Sequence, residues 1–130
     1  MKELIQNLIE ALREELKQYG EMLALLDHQQ KLAAHRRSPE LLDSIGAVNA
    51  QAEAIRVARQ EREQRRRHLA RTLALDETSG FGELTPRLPR DYQPLVQALV
   101  QENNELLIRV QQRALQNHFY AEVLVADGVE

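Results

Sequence analysis

The chain has 130 residues, of which 43% are hydrophobic, 28% charged and only 4% aromatic. That inventory suits one helical domain with seams of Leu, Ile, Val and Ala, and it excludes a disordered or membrane-embedded chain. Seventeen Lys and Arg against twenty Asp and Glu leave a net charge of −3, and cysteine is absent, which argues against a global pull toward nucleic acid and excludes disulfides and thiolate metal sites.

The first residues, Met1 to Asn7, mix charge and amide with apolar positions and lack the apolar run of a secretory signal. No segment approaches the roughly 20 apolar residues of a bilayer span. A soluble, cytoplasmic protein without membrane insertion is the expectation.

A first helix is predicted from about residue 2 to 36. Ile5, Ile9, Leu12, Leu16, Tyr19, Leu23 and Leu26 recur in steps of three and four, joined on the same side by Leu4, Leu8 and Met22, as in a coiled-coil seam. Gly20 interrupts this pattern and is expected to bend the helix at most. Arg36 and Arg37 suit the negative end of the helix, and Ser38-Pro39 follows as an N-cap with proline in the first turn.

A second helix is predicted from about 39 to 75. Its seam reads Ile45, Val48, Ala52, Ile55, Leu69 and Leu73, with Arg59, Arg62 and Arg66 in the intervening seam positions. Unpaired charges there would be expensive, so these three are expected to be paired structural arginines that fix register, with Glu10, Glu14, Glu15 or Glu102 as partners. A ligand facing some of them is the alternative. Outside the seam, Glu61 with Arg65 and Glu63 with Arg67 are spaced for helical ion pairs, so the arginine cluster reads as a solvated face and no nucleic-acid site is expected.

Residues 76–90 form the main loop, with Phe81, Leu84 and Leu88 expected to pin it to the bundle. A third helix is predicted from 91 to 125, capped by Asp91. Its main stripe is Leu95, Leu99, Asn103, Leu106, Val110, Ala114, Asn117, Ala121 and Leu124. Asn103 and Asn117 are polar seam residues of the kind that specify alignment or partner choice, and a partner helix would satisfy their amides. Ile108, Leu115, Phe119 and Val123 fall on the opposite side as a second apolar line. A helix packed on one side does not need two. Either the helix is sandwiched, or the chain forms a homodimer there, or the line accepts a partner helix.

The fold expected is all-α: a three-helix antiparallel bundle built on a long coiled-coil-like helical hairpin, with a loop between helices 2 and 3, in one domain spanning residues 1–130. No enzyme signature accompanies it. The residues three before His28, His35, His68 and His118 are Leu25, Leu32, Arg65 and Leu115, so the Glu-x-x-His pairs of a di-iron bundle are missing. Phosphate-binding glycine loops, zinc-protease helices and nucleophile elbows are missing too. No metal and no cofactor are expected.

In order along the chain stand Tyr19-x-x-Met22-Leu23-x-Leu25-Leu26, an arginine-rich second helix ending Leu69-x-x-x-Leu73-x-Leu75, a loop with Phe81-x-Glu83-Leu84, and Leu99-x-x-x-Asn103-Asn104-x-Leu106-Leu107. In that order and spacing the chain resembles the FlgN-like flagellar export chaperones over almost its whole length. The resemblance implies a cytoplasmic, cofactor-free chaperone that binds hook-associated proteins of the hook–filament junction and delivers them to the type III export gate. It also implies that the third helix, with Ile108, Leu115, Phe119 and Val123, docks the terminal helix of the substrate, and that Tyr120 contacts an export gate component. The rival reading is a homo-oligomeric coiled-coil adaptor or scaffold unrelated to secretion.

Overall fold

The computed structural model describes residues 1–36, 38–119, 121–125 and 128. Three long helices carry the fold: α1 (Lys2–Ala34), α2 (Ser38–Thr72) and α4 (Gln93–Gln116). A one-turn helix α3 (Phe81–Leu84), continued by a 3-10 turn Thr85–Arg87, lies in the connection between α2 and α4, and a second one-turn helix α5 (Glu122–Val125) follows α4. There is no strand among the described residues.

The chain runs up α1, down α2 and up α4. Helix α1 is central: it packs along both α2 and α4, whereas the backbones of α2 and α4 scarcely approach each other. Pairs such as Leu12 with Asn103 and Leu26 with Asn117 show α4 parallel to α1, each helix antiparallel to α2. Serving two neighbours, α1 buries a wide stripe that includes Ile5, Leu8, Ile9, Leu12, Tyr19, Met22 and Leu26. Gly20 leaves α1 unbroken. The spacing that singled out Leu16 and Leu23 was one residue off centre, for both are only half-buried while Glu15 is buried. The same offset occurs in α4, which buries Val96 and Leu107 where Leu95 and Leu106 were expected, and in α2, which buries Ser44 while Ile45 stays exposed.

Two apolar clusters result. The lower one gathers Ile5 to Leu12 of α1, Leu69 and Ala70 of α2, Phe81, Leu84 and Leu88 of the connection, and Val96 and Leu99 of α4. Phe81, Leu84 and Leu88 do pin the loop, as expected. The upper one gathers Tyr19, Met22 and Leu26 of α1, Val48 and Ile55 of α2, Leu107, Val110 and Ala114 of α4, and Leu124 of α5.

Each long helix ends earlier than punctuation by glycine and proline suggested, at Ala34, Thr72 and Gln116 instead of 36, 75 and 125. The reason is common to all three. Arg36, Ala74 and His118 take left-handed backbone angles, with φ of 55°, 58° and 56°, in the place after a helix where glycine is usual. Around Ala74 and His118 the chain closes as a Schellman turn: Leu75 N–H donates to Ala70 O and Ala74 N–H to Arg71 O, and Phe119 N–H donates to Ala114 O and His118 N–H to Leu115 O. The third predicted helix is therefore two pieces, α4 and α5. Asp91 does not cap it; Tyr92 holds that position and no side chain supplies the cap hydrogen bond.

Candidate functional site

A buried polar layer separates the two clusters. Glu15 of α1 is fully buried and accepts from Arg62 Nε at 2.8 Å and Nη2 at 3.3 Å. Tyr19 Oη donates to the same carboxylate at 2.7 Å and accepts from Arg59 Nη1 at 2.9 Å. Arg62 Nη1 reaches Glu63 at 2.9 Å, and Arg66 Nε meets Glu63 at 2.8 Å. Arg66 Nη1 then donates to the backbone oxygens of Glu77, at 3.0 Å, and Ser79, tying the connection to α2.

The seam arginines Arg59, Arg62 and Arg66 are thus paired, and of the acidic candidates Glu15 takes the central place. Glu63 turns toward Arg62 and Arg66, not toward Arg67 as its spacing suggested, while Arg65 does pair with Glu61 at 2.7 Å. Burial alone would raise the Glu63 carboxyl, but the hydrogen bond from Arg66 and the charges of Arg62 and Arg66 outweigh it and hold it below the ordinary value. Burial, reinforced by the Glu15 charge, pushes the Tyr19 hydroxyl far above its usual range, so it stays a donor. Burial opposes the charge on Arg62, yet the hydrogen bond and charge of Glu15 more than compensate and keep the guanidinium ionised. These residues clamp α1, α2 and the connection together, and Arg59, Arg62, Glu63 and Arg66 also line a cleft of about 320 Å³ with Thr78 and Gly80. Among the described residues no group of three His, Asp or Glu is placed to hold a metal, and no helix is long and apolar enough to cross a membrane.

The seam asparagines join α4 to α1. Asn103 Nδ2 donates to Leu12 O at 3.0 Å and Leu99 O at 2.9 Å, and Asn117 Nδ2 donates to Leu26 O at 2.8 Å and Gln29 Oε1 at 3.0 Å. Their donors are met within the chain, by α1 and, for Asn103, also by α4, in keeping with the alignment role read from the sequence.

The second apolar line is divided. Ile108 and Leu115 stand on the outside of α4, 52% and 60% exposed. Phe119 and Val123 lie beyond the end of α4, on the segment that folds back, and both are half-buried against the upper cluster. The four residues therefore do not form one helix face, because the turn at His118 redirects the last two. Tyr120 lies outside the described residues. Sequence periodicity placed Leu124 on the inner stripe but not on a separate helix: Leu124 enters the upper cluster, its carbonyl accepts from Gln111 Nε2 at 2.6 Å, and α5 packs against both α2 and α4. Further on, Gly128 passes so close to Asn104 that a Cβ there would collide with its side chain. The segment thus returns along α4, beside the strip marked by Asn104 and Gln111.

Two open spaces lie in the upper half of the bundle. Near the tip of the hairpin a cavity of about 390 Å³ is lined by Gln29, Leu41, Ile45, Asn117 and Phe119, among others. On the α2 side a cleft of about 510 Å³ runs past Arg56, Arg59, Gln60, Glu63, Arg67 and Val123. The tip cavity has an amide and apolar lining, and the α2-side cleft is lined by charged and amide groups around Val123.

No curated protein and no solved structure matches the chain. A family model described as FlgN protein matches residues 1–123. With that match spanning nearly the whole helical bundle, the chain belongs to the FlgN family, a family of flagellar export chaperones and not of enzymes.

Proposed function

We propose that this protein escorts hook-associated proteins of the hook–filament junction through the cytoplasm, shielding their terminal amphipathic helix until a component of the flagellar type III export gate takes them over. The observation that carries the reading is the exposure of Ile108 and Leu115 on α4, with an open cavity lined by Phe119 and the end of that helix. Contiguous apolar surface on a protein of this size is costly to leave in water unless a partner covers it. A helix laid along this surface would bury its own apolar side against these residues, the usual way amphipathic helices are held in grooves.

Leu115→Asp tests this directly. Its side chain stands clear of the bundle, so stability and circular dichroism should stay within about 0.5 kcal/mol of the unmodified chain. Affinity for a fluorescein-labelled peptide of the junction protein's terminal helix should fall by about tenfold, the loss of one well-buried anchor. Unaltered affinity would remove α4 from the site. Light scattering addresses the scaffold alternative, for a tight dimer that dissociates in Leu115→Asp would assign the same residues to self-association.

A further inference from the structure

We propose that the partner helix takes the place of α5: the groove between α2 and α4 is the docking surface, and α5 is the chain's own stand-in that an incoming amphipathic helix displaces. This rests on the function proposed above and concerns how its site is opened.

The floor of the groove is the upper cluster, where Tyr19, Met22, Ile55, Leu107 and Val110 are almost completely buried. Since α2 and α4 scarcely touch, α5 is the helix that bridges them at this height. It is a small cover for a large opening: one turn, Glu122–Val125, with Leu124 as its fully buried side chain and Ala121 and Val123 half-buried. The α2-side cleft opens beside it at Val123, and the tip cavity lies next to Phe119, before α5 begins.

The rims indicate what a better occupant looks like. Ile108 and Leu115 are each four residues on from Asn104 and Gln111, the two α4 residues beside the returning segment, so they border the same strip on its outer side. Across the groove, Ile45 is 44% exposed. A helix of two or three turns, apolar at every third or fourth position, would cover these edges as well as the floor. The α2 rim carries Arg56, Arg59 and Arg67 against Glu63, which favours a partner with acidic residues along that flank. Glu122, exposed on α5, is a one-residue version of that pattern. Position in the chain makes exchange feasible, since α5 follows the last long helix and can leave the groove without moving α1, α2 or α4.

The absence of cysteine allows a direct test. Gln60→Cys and Val123→Cys place one thiol on α2 and one on α5 in the same cleft, and a bis-maleimide with a reducible linker ties them together. Binding of the labelled junction-protein helix peptide is compared before linkage, after it, and after reductive cleavage. Linkage should weaken binding by about tenfold or more, as expected when the competent state is withheld, and cleavage should restore it. Equal affinity in all three states would overturn displacement while leaving the chaperone function intact. No binding by the unmodified chain would remove the chaperone reading, and the displacement proposal with it.

Discussion

The lower and upper halves of the bundle face the same problem and solve it differently. In both, α1 presents apolar side chains to two helices that do not meet each other, leaving a gap between α2 and α4. Below, the gap is filled by the connection itself: Phe81, Leu84 and Leu88 enter the core, and Arg66 holds the backbone at Glu77 and Ser79. That filler is strung between two long helices and anchored by a buried cation. Above, the filler is one turn of helix after α4, with Leu124 buried and a cleft open beside Val123. The lesson is that this fold needs a third wall along its whole length and makes that wall permanent in one half only.

The largest effect should come from the layer between the halves. Glu15→Ala leaves Arg62 buried without its carboxylate and should cost about 3–5 kcal/mol in urea denaturation. Exchanging both residues for apolar ones of similar volume, Glu15→Leu with Arg62→Met, should recover most of that loss. A small effect of Glu15→Ala alone would mean the two halves do not depend on the layer.

The halves themselves are compared by matched truncations. Leu84→Ala should cost about 2–5 kcal/mol, because the cavity it opens is enclosed by an anchored loop. Leu124→Ala should cost no more than about 1 kcal/mol, because α5 can shift to relieve it. Equal losses would erase the distinction between a fixed and a movable wall.

The smallest effect concerns the end of α2. Ala74 sits at φ 58°, where a side chain is strained and glycine is not. Ala74→Gly should stabilise the chain by about 0.5 kcal/mol, read as a slight rise in thermal midpoint.

Much of this architecture was legible from spacing. The steps of three and four through Ile5, Ile9 and Leu12, the Ser38-Pro39 break and the apolar loop residues located the helices and their inner sides. Arg62 and Arg66 were identifiable as buried cations, and Arg59 as a half-buried one, because they interrupt an otherwise apolar seam. What spacing could not supply was the end of each helix. Arg36, Ala74 and His118 adopt glycine-like angles without being glycine, and local hydrogen bonding, not residue type, makes those turns. Missing the turn at His118 had the largest consequence, since it carried Phe119 and Val123 from a supposed outer face to a position over the upper cluster. The partnership of Tyr19 with Glu15 was also hidden: its ring matched an apolar seam, and only the fold reveals the hydroxyl meeting a carboxylate one turn earlier.

The pairing of Glu15 with Arg62 carries a further implication for handling one passenger after another. Sliding α2 along α1 by a single turn would strand a carboxylate and a guanidinium among aliphatic groups, so the hairpin has one favoured setting and steep penalties to either side. The frame from which α5 would depart, and to which it would return, is thereby held at one alignment.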